Sequence, residues 1–261
     1  MKRILCFCLA FVLTVAVCGC GSGAPDSSLE QVSDRKVIIM GFDNSFEPMG
    51  FEDSKGTYFG YDIDIGREIA KRLGVTLNLQ VIKPETSGSE LINKTVDFLG
   101  NSMSASKQQE KEFKYSNTIF KNAIVAVVMA DSEYKGFSDL KGKSIAAVEG
   151  SLSMAALEEN KTLKTDSKII KVQTSGAALA ELLNRRTDAM VVDESFARYQ
   201  ISRGVNIKIL ENKIKAVDYK LVFRKADKSL VKKINEILGE MKKEGKLSEI
   251  SNKWFGDDFA A

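Results

Sequence analysis

The chain has 261 residues, enough for one large domain or two of ordinary size, and 44% of them are hydrophobic, which is enough to form a core. Its 38 basic and 35 acidic residues nearly balance, which gives no electrostatic reason to expect a nucleic-acid partner. The sequence contains no histidine, so catalysis by serine–histidine or cysteine–histidine pairs is excluded and the commonest transition-metal ligand is missing. We expect neither a cofactor nor a metal ion.

Residues 1–19 predict a secretory signal peptide. Two basic residues, Lys2 and Arg3, precede an apolar stretch from Ile4 to Val17, which is shorter than a typical transmembrane helix. All the cysteines lie in or directly after this segment, so they do not form a disulfide framework for the rest of the chain; they are Cys6, Cys8, Cys18 and Cys20.

The end of the signal, Val-Cys-Gly-Cys at 17–20, resembles a bacterial lipobox, which implies that Cys20 becomes the lipidated first residue of the mature chain. A plain signal peptide that is cut elsewhere is the alternative. Residues 20–34 are mostly small and polar, as expected for a lipid-anchored linker that holds a globular domain off a membrane. We therefore expect a function outside the cytoplasm, at the cell membrane.

The globular part begins with the apolar run Lys36–Phe42, which predicts a buried strand, and a loop of turn-forming residues follows at 43–48. The loops beyond the carboxyl ends of the strands form the ligand crevice of an open α/β sheet. Asp43, Phe46 and Glu47 are therefore candidate site residues, with packing of the loop as the alternative role of the phenylalanine.

The segment Gly60–Val75 predicts an amphipathic helix, because apolar residues recur at helical spacing, charged residues fill the opposite face and Gly74 ends the pattern. Asp62 is predicted to lie in the turn before the helix, where a carboxylate can cap free backbone N–H groups. Asp64 adds negative charge at the positive end of the helix dipole.

Strands and helices alternate over the rest of the chain, which favours parallel sheets. The predicted strands are Thr76–Ile82, Val96–Asn101, Ala123–Met129, Ser144–Val148, Lys168–Val172, Ala189–Val192, Val205–Leu210 and Tyr219–Phe223. The predicted helices are Ser87–Lys94, a short one from Ser106, one from Ser151, Gly176–Arg185, Glu194–Ser202 and two at the C-terminus.

One stretch of the chain is echoed later. Glu90–Leu99, ELINKTVDFL, aligns without a gap on Glu181–Met190, ELLNRRTDAM, with glutamate, leucine, asparagine and aspartate identical. The echo is either a coincidence between two helix–strand units or a unit shared by two lobes, each with its own sheet. In the second case a ligand would bind between the lobes.

Five motifs stand in a distinctive order: GFDNSFEPMGF at 41–51, GYDIDI at 60–65, GKSIAAVEGS at 142–151, DAMVVDES at 188–195 and NKWFG at 252–256. In order and spacing they resemble the bacterial extracellular solute-binding proteins of amino-acid ABC transporters, over residues 35 to 256. The resemblance implies a two-lobed α/β fold of the type II periplasmic-binding-protein class. Each lobe would be a mostly parallel sheet flanked by helices.

The resemblance also implies how the molecule is divided and how it acts. Lobe one would comprise residues 35–120 and 221–256, lobe two residues 124–216, and two hinge strands would cross near 121–123 and 217–220. The lobes of a monomer would close over a small ligand, which shifts the equilibrium because it touches both lobes only when they are shut. Permease subunits of the transporter, in the membrane, would recognise the closed form.

In proteins of this family a carboxylate pairs with the ammonium of an amino acid, an arginine and hydroxyl groups bind its carboxylate, and aromatic rings flank its side chain. By resemblance, Asp193 is the ammonium-binding aspartate, with capping of the next helix as the alternative. Phe46 is one aromatic wall, with core packing as the alternative, and Asp43 takes an acidic position in the first loop. Ser104 and Ser151 supply the carboxylate-binding hydroxyls, although Ser151 has helix capping as an alternative.

Three positions depart from the family pattern. Gln109 replaces the arginine of a threonine-x-x-arginine motif, and Pro84 and Gly100 replace aromatic residues. Glutamine carries no charge, so a carboxylate ligand should lose about 2–5 kcal/mol of binding free energy unless Lys107 supplies the cation. We expect either a polar amino acid held in an unusual way, or a cationic or neutral metabolite without a free α-carboxylate.

Two other functions are alternatives to transport. A lyase on the same fold would need a cleft acid with a raised pKa, such as Asp193 or Glu149. A sensory or adhesive lipoprotein with an altered pocket would need no permease. The single tryptophan, Trp254, is expected to anchor the C-terminus rather than contact the ligand.

Overall fold

A computed structural model describes residues 26–100 and 109–260, with the backbone alone for residues 109 and 110. The predicted signal peptide, Cys20 and Ser104 lie outside the described residues, as do Lys107 and the side chain of Gln109. Within the described ranges no helix is both long and apolar enough to cross a bilayer.

The first sheet has five strands in the order β5-β1-β6-β13-β7. They are β1 (Val37–Phe42), β5 (Thr76–Val81), β6 (Phe98–Leu99), β7 (Phe113–Tyr115) and β13 (Val222–Arg224). The helices in the same parts of the chain are α1 (Ser28–Arg35), α2 (Tyr61–Leu73), α3 (Ser87–Ile92), α4 (Gln109–Glu112), α9 (Lys228–Lys243) and α10 (Lys246–Phe255). A 3-10 turn at Pro84–Thr86 leads into α3.

The second sheet has the order β10-β9-β11-β8-β12. Its strands are β8 (Phe120–Met129), β9 (Ser144–Val148), β10 (Lys168–Val172), β11 (Ala189–Asp193) and β12 (Ile207–Tyr219). Its helices are α5 (Leu152–Glu159), α6 (Lys161–Lys164), α7 (Ser175–Leu183) and α8 (Glu194–Ser202), with a 3-10 turn at Phe137–Leu140. A small third sheet joins β2 (Ser45–Phe46), β3 (Gly50–Glu52) and β4 (Tyr58–Phe59).

The two large sheets are built to the same plan, and both are mixed rather than mostly parallel. Their first three strands run parallel, whereas β13 in one sheet and β8 in the other pair antiparallel with both neighbours. Both antiparallel strands follow a crossing of the chain between the sheets, since β8 comes after β7 and β13 after β12. The prediction of an α/β fold with two sheets is confirmed, and the exact lobe boundaries stay a prediction. The prediction of a linker over residues 20–34 is wrong for residues 28–34, which belong to α1 and bury Val32 in the core.

The internal echo is a repeated structural unit. Asp97 and Asp188 occupy the same place in it, and each accepts a hydrogen bond from a backbone N–H of the neighbouring strand, that of Ile39 at 2.7 Å and that of Ser144 at 2.8 Å. The backbone N–H groups of both aspartates donate back to the carbonyls of these two residues, at 2.8 Å and 2.9 Å. The shared aspartates therefore lock the two helix–strand units into their sheets in the same way, as expected if the two lobes share a unit.

Helix α2 begins two residues earlier than the capping prediction requires. Its N-cap is Gly60, whose φ of 144° brings the chain so close to β3 that an added Cβ would lie 2.1 Å from the Met49 carbonyl oxygen. Asp62 is therefore inside the helix and fully buried, and its predicted role as the cap is wrong.

Trp254 anchors the C-terminal helix, as predicted. It is 9% exposed, and its Nε1 donates a hydrogen bond of 2.9 Å to Asp64 Oδ2 on the first turn of α2. Lys253 Nζ lies 2.6 Å from the same oxygen. Asp64 thus joins α2 to α10 in addition to facing the helix dipole.

The C-terminal tail, which we define as residues 257–260, lies along the start of β8. Ala260 forms an antiparallel bridge with Phe120, and the Lys121 N–H donates to the Phe259 carbonyl at 3.0 Å. The rings of Phe120 and Phe259 are 5.3 Å apart between centroids. The tail therefore adds a further strand-like contact at the predicted hinge.

The second sheet also contacts the C-terminal tail. Arg198 of α8 lies 3.4 Å from Asp257 Oδ2, and its guanidinium stands 5.2 Å from the centroid of the Phe259 ring. Since α10 carries the tail and α8 follows β11, these contacts join the two halves of the fold behind the cleft described next.

Candidate ligand-binding site

A cleft of about 640 Å³ lies between the two large sheets. The loops that line it follow β1 and β5 of the first sheet and β9, β10 and β11 of the second, so the carboxyl ends of parallel strands from both sheets converge on it. This is the edge at which open α/β sheets bind ligands.

Five of the predicted site residues line this cleft, namely Asp43, Phe46, Glu47, Ser151 and Asp193. They come from the loop after β1, the start of α5 and the end of β11. For Ser104 and Gln109, which belong to the predicted carboxylate clamp, no side-chain position is described, so their roles stay predictions.

Asp193 is held by residues on both strands that cross between the sheets. Its Oδ1 accepts a hydrogen bond of 2.8 Å from Asn122 Nδ2 on β8 and another from the Tyr219 hydroxyl at the end of β12. Although it occupies the N-cap position of α8, its side chain makes no capping hydrogen bond. The alternative role of Asp193, as the cap of α8, is therefore wrong.

Burial raises the pKa of the Asp193 carboxyl, and the hydrogen bonds from Tyr219 and Asn122 lower it only in part. Both side-chain hydrogen bonds go to the same oxygen, Oδ1. A partly buried carboxylate with one oxygen fixed by the fold suits an ammonium group on a ligand, since a cation would stabilise its charged form.

Ser151 caps its own helix. Its Oγ accepts a hydrogen bond of 3.1 Å from the Met154 N–H and lies 2.7 Å from the Val148 carbonyl, to which it donates. A hydroxyl has a single proton. In this arrangement Ser151 can therefore accept a hydrogen bond from a ligand, and donation to a ligand carboxylate would first require breaking the bond to Val148.

Asp43 and Phe46 face the cleft from the loop after β1 while also organising that loop. Asp43 Oδ1 accepts hydrogen bonds from the Ser45 N–H at 2.8 Å and the Ser45 hydroxyl at 2.7 Å. The half-buried ring of Phe46 packs against the main core as well as lining the cleft. Both the packing and the wall interpretations of Phe46 are thus compatible with its position.

Glu47 reaches across the cleft to the other half of the fold. Its carboxylate faces the Tyr199 hydroxyl on α8, and burial raises the pKa of Tyr199, with the nearby Glu47 carboxylate as a further cause. Arg203 Nη1 donates to the same hydroxyl at 2.9 Å. Glu47 therefore contributes a contact between the two halves in addition to lining the cleft.

Several lining residues were not predicted from the sequence, and they are Ser45, Glu85, Ser153, Gln173, Thr174, Ser175, Phe196 and Gln200. Thr174 caps α7 by accepting a hydrogen bond of 3.1 Å from the Ala177 N–H. The repeat could have identified the loop before α7, because α7 is the counterpart of α3, and the turn before α3 lines the cleft through Pro84 and Glu85. Phe196 and Gln200 are on the helix that starts directly after Asp193.

An apolar pocket of about 220 Å³ adjoins the cleft through Asp43, Phe46 and Pro84, and Gly100 lines it too. A Cβ added to Gly100 would lie 2.1 Å from the terminal methyl carbon of buried Met40. Met40 thus takes the space that a side chain at 100 would enter, which is consistent with the absence of an aromatic residue there.

The cleft is acidic. Five described lining residues are carboxylic acids, and the described lining includes no lysine or arginine; the acids are Asp43, Glu47, Glu85, Glu149 and Asp193. Glu149 is paired with Lys171 at 2.9 Å, both side chains being largely exposed. Glu194 is 2% exposed and ion-paired with Arg198 and Lys213, so it belongs to α8 packing rather than to the cleft. No metal-binding group of three or more acids or cysteines occurs among residues 26–100 and 109–260.

The fold consists of two α/β units that are joined by crossing strands, and a polar cleft lies where their strand ends face each other. Residues on the crossing strands hold an acidic residue in this cleft. These features define a solute-binding protein of the type II class. The chain also matches the model of the bacterial extracellular solute-binding proteins, family 3, over residues 38–257. Because this match covers most of its length, the chain belongs to that family.

Relatives with the same fold cover nearly the whole chain. The L-cystine-binding protein TcyA of Bacillus subtilis is 26% identical over 271 residues, which span 99% of each chain. The crystal structure of an ABC uptake transporter substrate binding protein from Streptococcus pneumoniae with bound histidine is 33% identical, with a TM-score of 0.76 over 90% of this chain and 98% of that one. The ancestral amino-acid-binding protein AncCDT-1, a precursor of cyclohexadienyl dehydratase, is 27% identical, with a TM-score of 0.76 over 88% of this chain and 100% of that one.

Proposed function

We propose that the protein captures an amino acid outside the cytoplasm and delivers it to the permease of an ABC transporter. The observation that carries the proposal is the position of Asp193, a cleft carboxylate held by residues on both crossing strands. An ammonium group bound there would be sensed by the strands that must move when the lobes close. The names of the relatives support an amino acid as the ligand.

The side chain of the ligand is proposed to be polar or cationic. The acidic lining of the cleft favours positive charge, and the carboxyl groups of Glu85 and Glu149 come from opposite halves of the fold. The ligand in this proposal remains a polar amino acid. Gln109 stands where the family has an arginine, but an acidic cleft can attract a cationic side chain without an arginine clamp.

We further propose that Cys20 is lipidated after removal of residues 1–19, that the protein works as a monomer, and that it releases its ligand unchanged. The absence of histidine and the binding function of the relatives support a role without catalysis. Incubation with each bound amino acid, followed by mass spectrometry, should return only the starting compound. A new product that depends on Asp193 would favour an elimination reaction instead.

The direct test is a thermal-unfolding screen of the purified protein against the common amino acids, polyamines and small peptides. A ligand at a hundred times its dissociation constant adds about 2.7 kcal/mol, which should raise the midpoint by roughly 5–10 °C in a protein of this size. Shifts only with compounds that lack an α-carboxylate would replace the amino acid in this proposal, and no shift with any compound would favour a role other than transport.

Asp193→Asn removes the charge with little change in shape and should weaken binding by about 2–5 kcal/mol, or roughly 30- to 1,000-fold, because the ligand ammonium loses its partner in a partly buried site. Isothermal titration calorimetry measures the loss. Asp218→Asn, at an exposed position on the crossing strand β12, is the matched control and should bind normally. Equal affinity of the two variants would exclude Asp193 as the ammonium site.

A further inference from the structure

The start of the described chain is fastened to the beginning of α9. Asp26 accepts a hydrogen bond from the Ser229 N–H, and the hydroxyl groups of Ser28 and Ser229 are 3.0 Å apart. Asp26 Oδ1 also accepts from the Ser28 N–H at 3.0 Å. The chain therefore enters the fold at a fixed point beside the first turn of α9.

The entry point is close to the proposed lipid anchor. Asp26 is the sixth residue after Cys20. An extended chain spans at most about 3.4 Å per residue, so Asp26 is within about 20 Å of the anchor whatever path the intervening residues take. If Cys20 is lipidated, the first turn of α9 must therefore lie close to the membrane surface.

Three exposed lysines surround a groove next to this point. We call it the lysine groove; it has a volume of about 530 Å³, and its lysines are Lys114 on β7 and Lys228 and Lys232 on α9. Lys228 directly precedes Ser229, which binds Asp26. None of the three forms an ion pair with a residue in the described parts of the chain.

The acidic residue in the same groove is already partly neutralised. Glu236 lies 3.5 Å from Lys233, one turn along α9 from the groove lysines. Apolar Val231 forms part of the floor and is 2% exposed, while Asn235 accepts a hydrogen bond of 2.7 Å from the Asn117 N–H. The groove thus presents unpaired positive charge on a helix and a strand rather than on a loop.

We propose that the lysine groove docks on anionic lipid headgroups of the membrane that anchors the chain, and so fixes the orientation of the protein on that membrane. This proposal rests on lipidation of Cys20, not on the identity of the captured ligand. Each lysine near an anionic surface multiplies the membrane-bound population about fivefold. The anchor already confines the domain to the surface, so three such contacts can select one orientation.

The test uses the full chain, expressed with its signal and purified from membranes. Mass spectrometry of the N-terminal peptide first establishes whether Cys20 carries lipid. The protein is then placed in nanodiscs of phosphatidylcholine alone or with about 30% phosphatidylglycerol, an anionic lipid content chosen to give a negative surface. Acetylation of each lysine is followed by mass spectrometry over time.

We expect Lys114, Lys228 and Lys232 to react about fivefold more slowly on the anionic discs, and the difference to disappear at high salt, where charges on a surface are screened. Lys161, Lys164 and Lys168 are exposed lysines of the second sheet's half, and their rates should not depend on the lipid. Equal rates for the groove lysines on both discs would overturn the proposal, as would a Cys20 without lipid.

A pair of variants separates docking from general electrostatic attraction. In Lys228→Glu/Lys232→Glu, the remaining Lys114 should lose its lipid-dependent protection. The matched control Lys161→Glu/Lys164→Glu changes the net charge equally and should leave the protection of Lys114 intact. If both variants lower it equally, the net charge and not the groove is responsible. If protection of Lys114 appears only when purified permease is added, an acidic protein partner replaces the membrane as the occupant.

Discussion

At the scale of single residues, the environment of Asp193 makes ligand binding sensitive to pH. Burial raises the pKa of this carboxyl above its ordinary value of 3.8. A ligand ammonium binds the charged form, so affinity should be full well above the raised pKa and should fall as the pH drops through it, before an ordinary aspartate would be protonated. Calorimetric titrations at a series of pH values should show this loss, and Asp193→Asn should show none.

Tyr219→Phe tests the cause of that pH dependence. The variant removes a hydrogen bond that stabilises the charged form of Asp193, so the pKa should rise further and binding should be lost at a higher pH than in the wild type. Tyr134→Phe is the control, because the Tyr134 hydroxyl also donates to an aspartate, Asp188, which lies outside the cleft. An unchanged pH midpoint in Tyr219→Phe would show that this hydroxyl does not tune the site.

The residues around Asp193 also show how far the sequence could predict the site. Asp193 directly follows a strand that the apolar pattern predicts, and five of the predicted site residues line one cleft. Its partners are 71 residues earlier, at Asn122, and 26 residues later, at Tyr219, and they meet it only because the register of β8 with β12 brings them together. Local patterns carry no information on such a register, and the contact between Glu47 and Tyr199 escapes prediction for the same reason.

At the scale of secondary-structure elements, most strands and helices follow from apolar periodicity, whereas two features do not. The crossing strands are longer than predicted, because β8 and β12 continue their pairing past the apolar run, as far as Phe120 and Tyr219. The cap of α2 was misassigned because Asp62 has the usual chemistry of a capping residue, while the close approach of Gly60 to Met49 sets the start of the helix. In both cases a long-range contact overrides the local signal.

Helix α8 offers a test of how burial changes the value of an ion pair. Arg198 pairs at 3.0 Å with Glu194, which is 2% exposed, and also reaches the C-terminal tail. Arg198→Met should lower the free energy of unfolding by about 2 kcal/mol, since a buried carboxylate loses a partner while Lys213 retains part of the compensation.

Arg186→Met is the matched control, because Arg186 pairs with the more exposed Glu181. It should cost less than about 0.5 kcal/mol. Urea unfolding of both variants measures the two values. Similar losses would mean that burial of Glu194 contributes nothing to the strength of its pair.

At the scale of the whole molecule, the chain uses one plan twice and then joins the two copies by further contacts besides the crossing strands. Asp97 and Asp188 lock the same helix–strand unit into each sheet, and the repeat was visible in the sequence. The contacts between the halves were not: the C-terminal tail, which follows α10, packs on α8 and on the start of β8, and Glu47 faces Tyr199 of α8. A change in the arrangement of the two halves must therefore alter contacts at both places.

The position of Trp254 beside Tyr199 has a practical consequence. Trp254 is the only tryptophan of the protein, it belongs to α10, and its ring lies 6.3 Å from that of Tyr199 on α8, which follows the second sheet. Its fluorescence is therefore a label-free signal of movement between the halves. Addition of ligand should change the emission of the wild type and leave that of Asp193→Asn unchanged. A titration followed by tryptophan emission would therefore give a binding isotherm without a label.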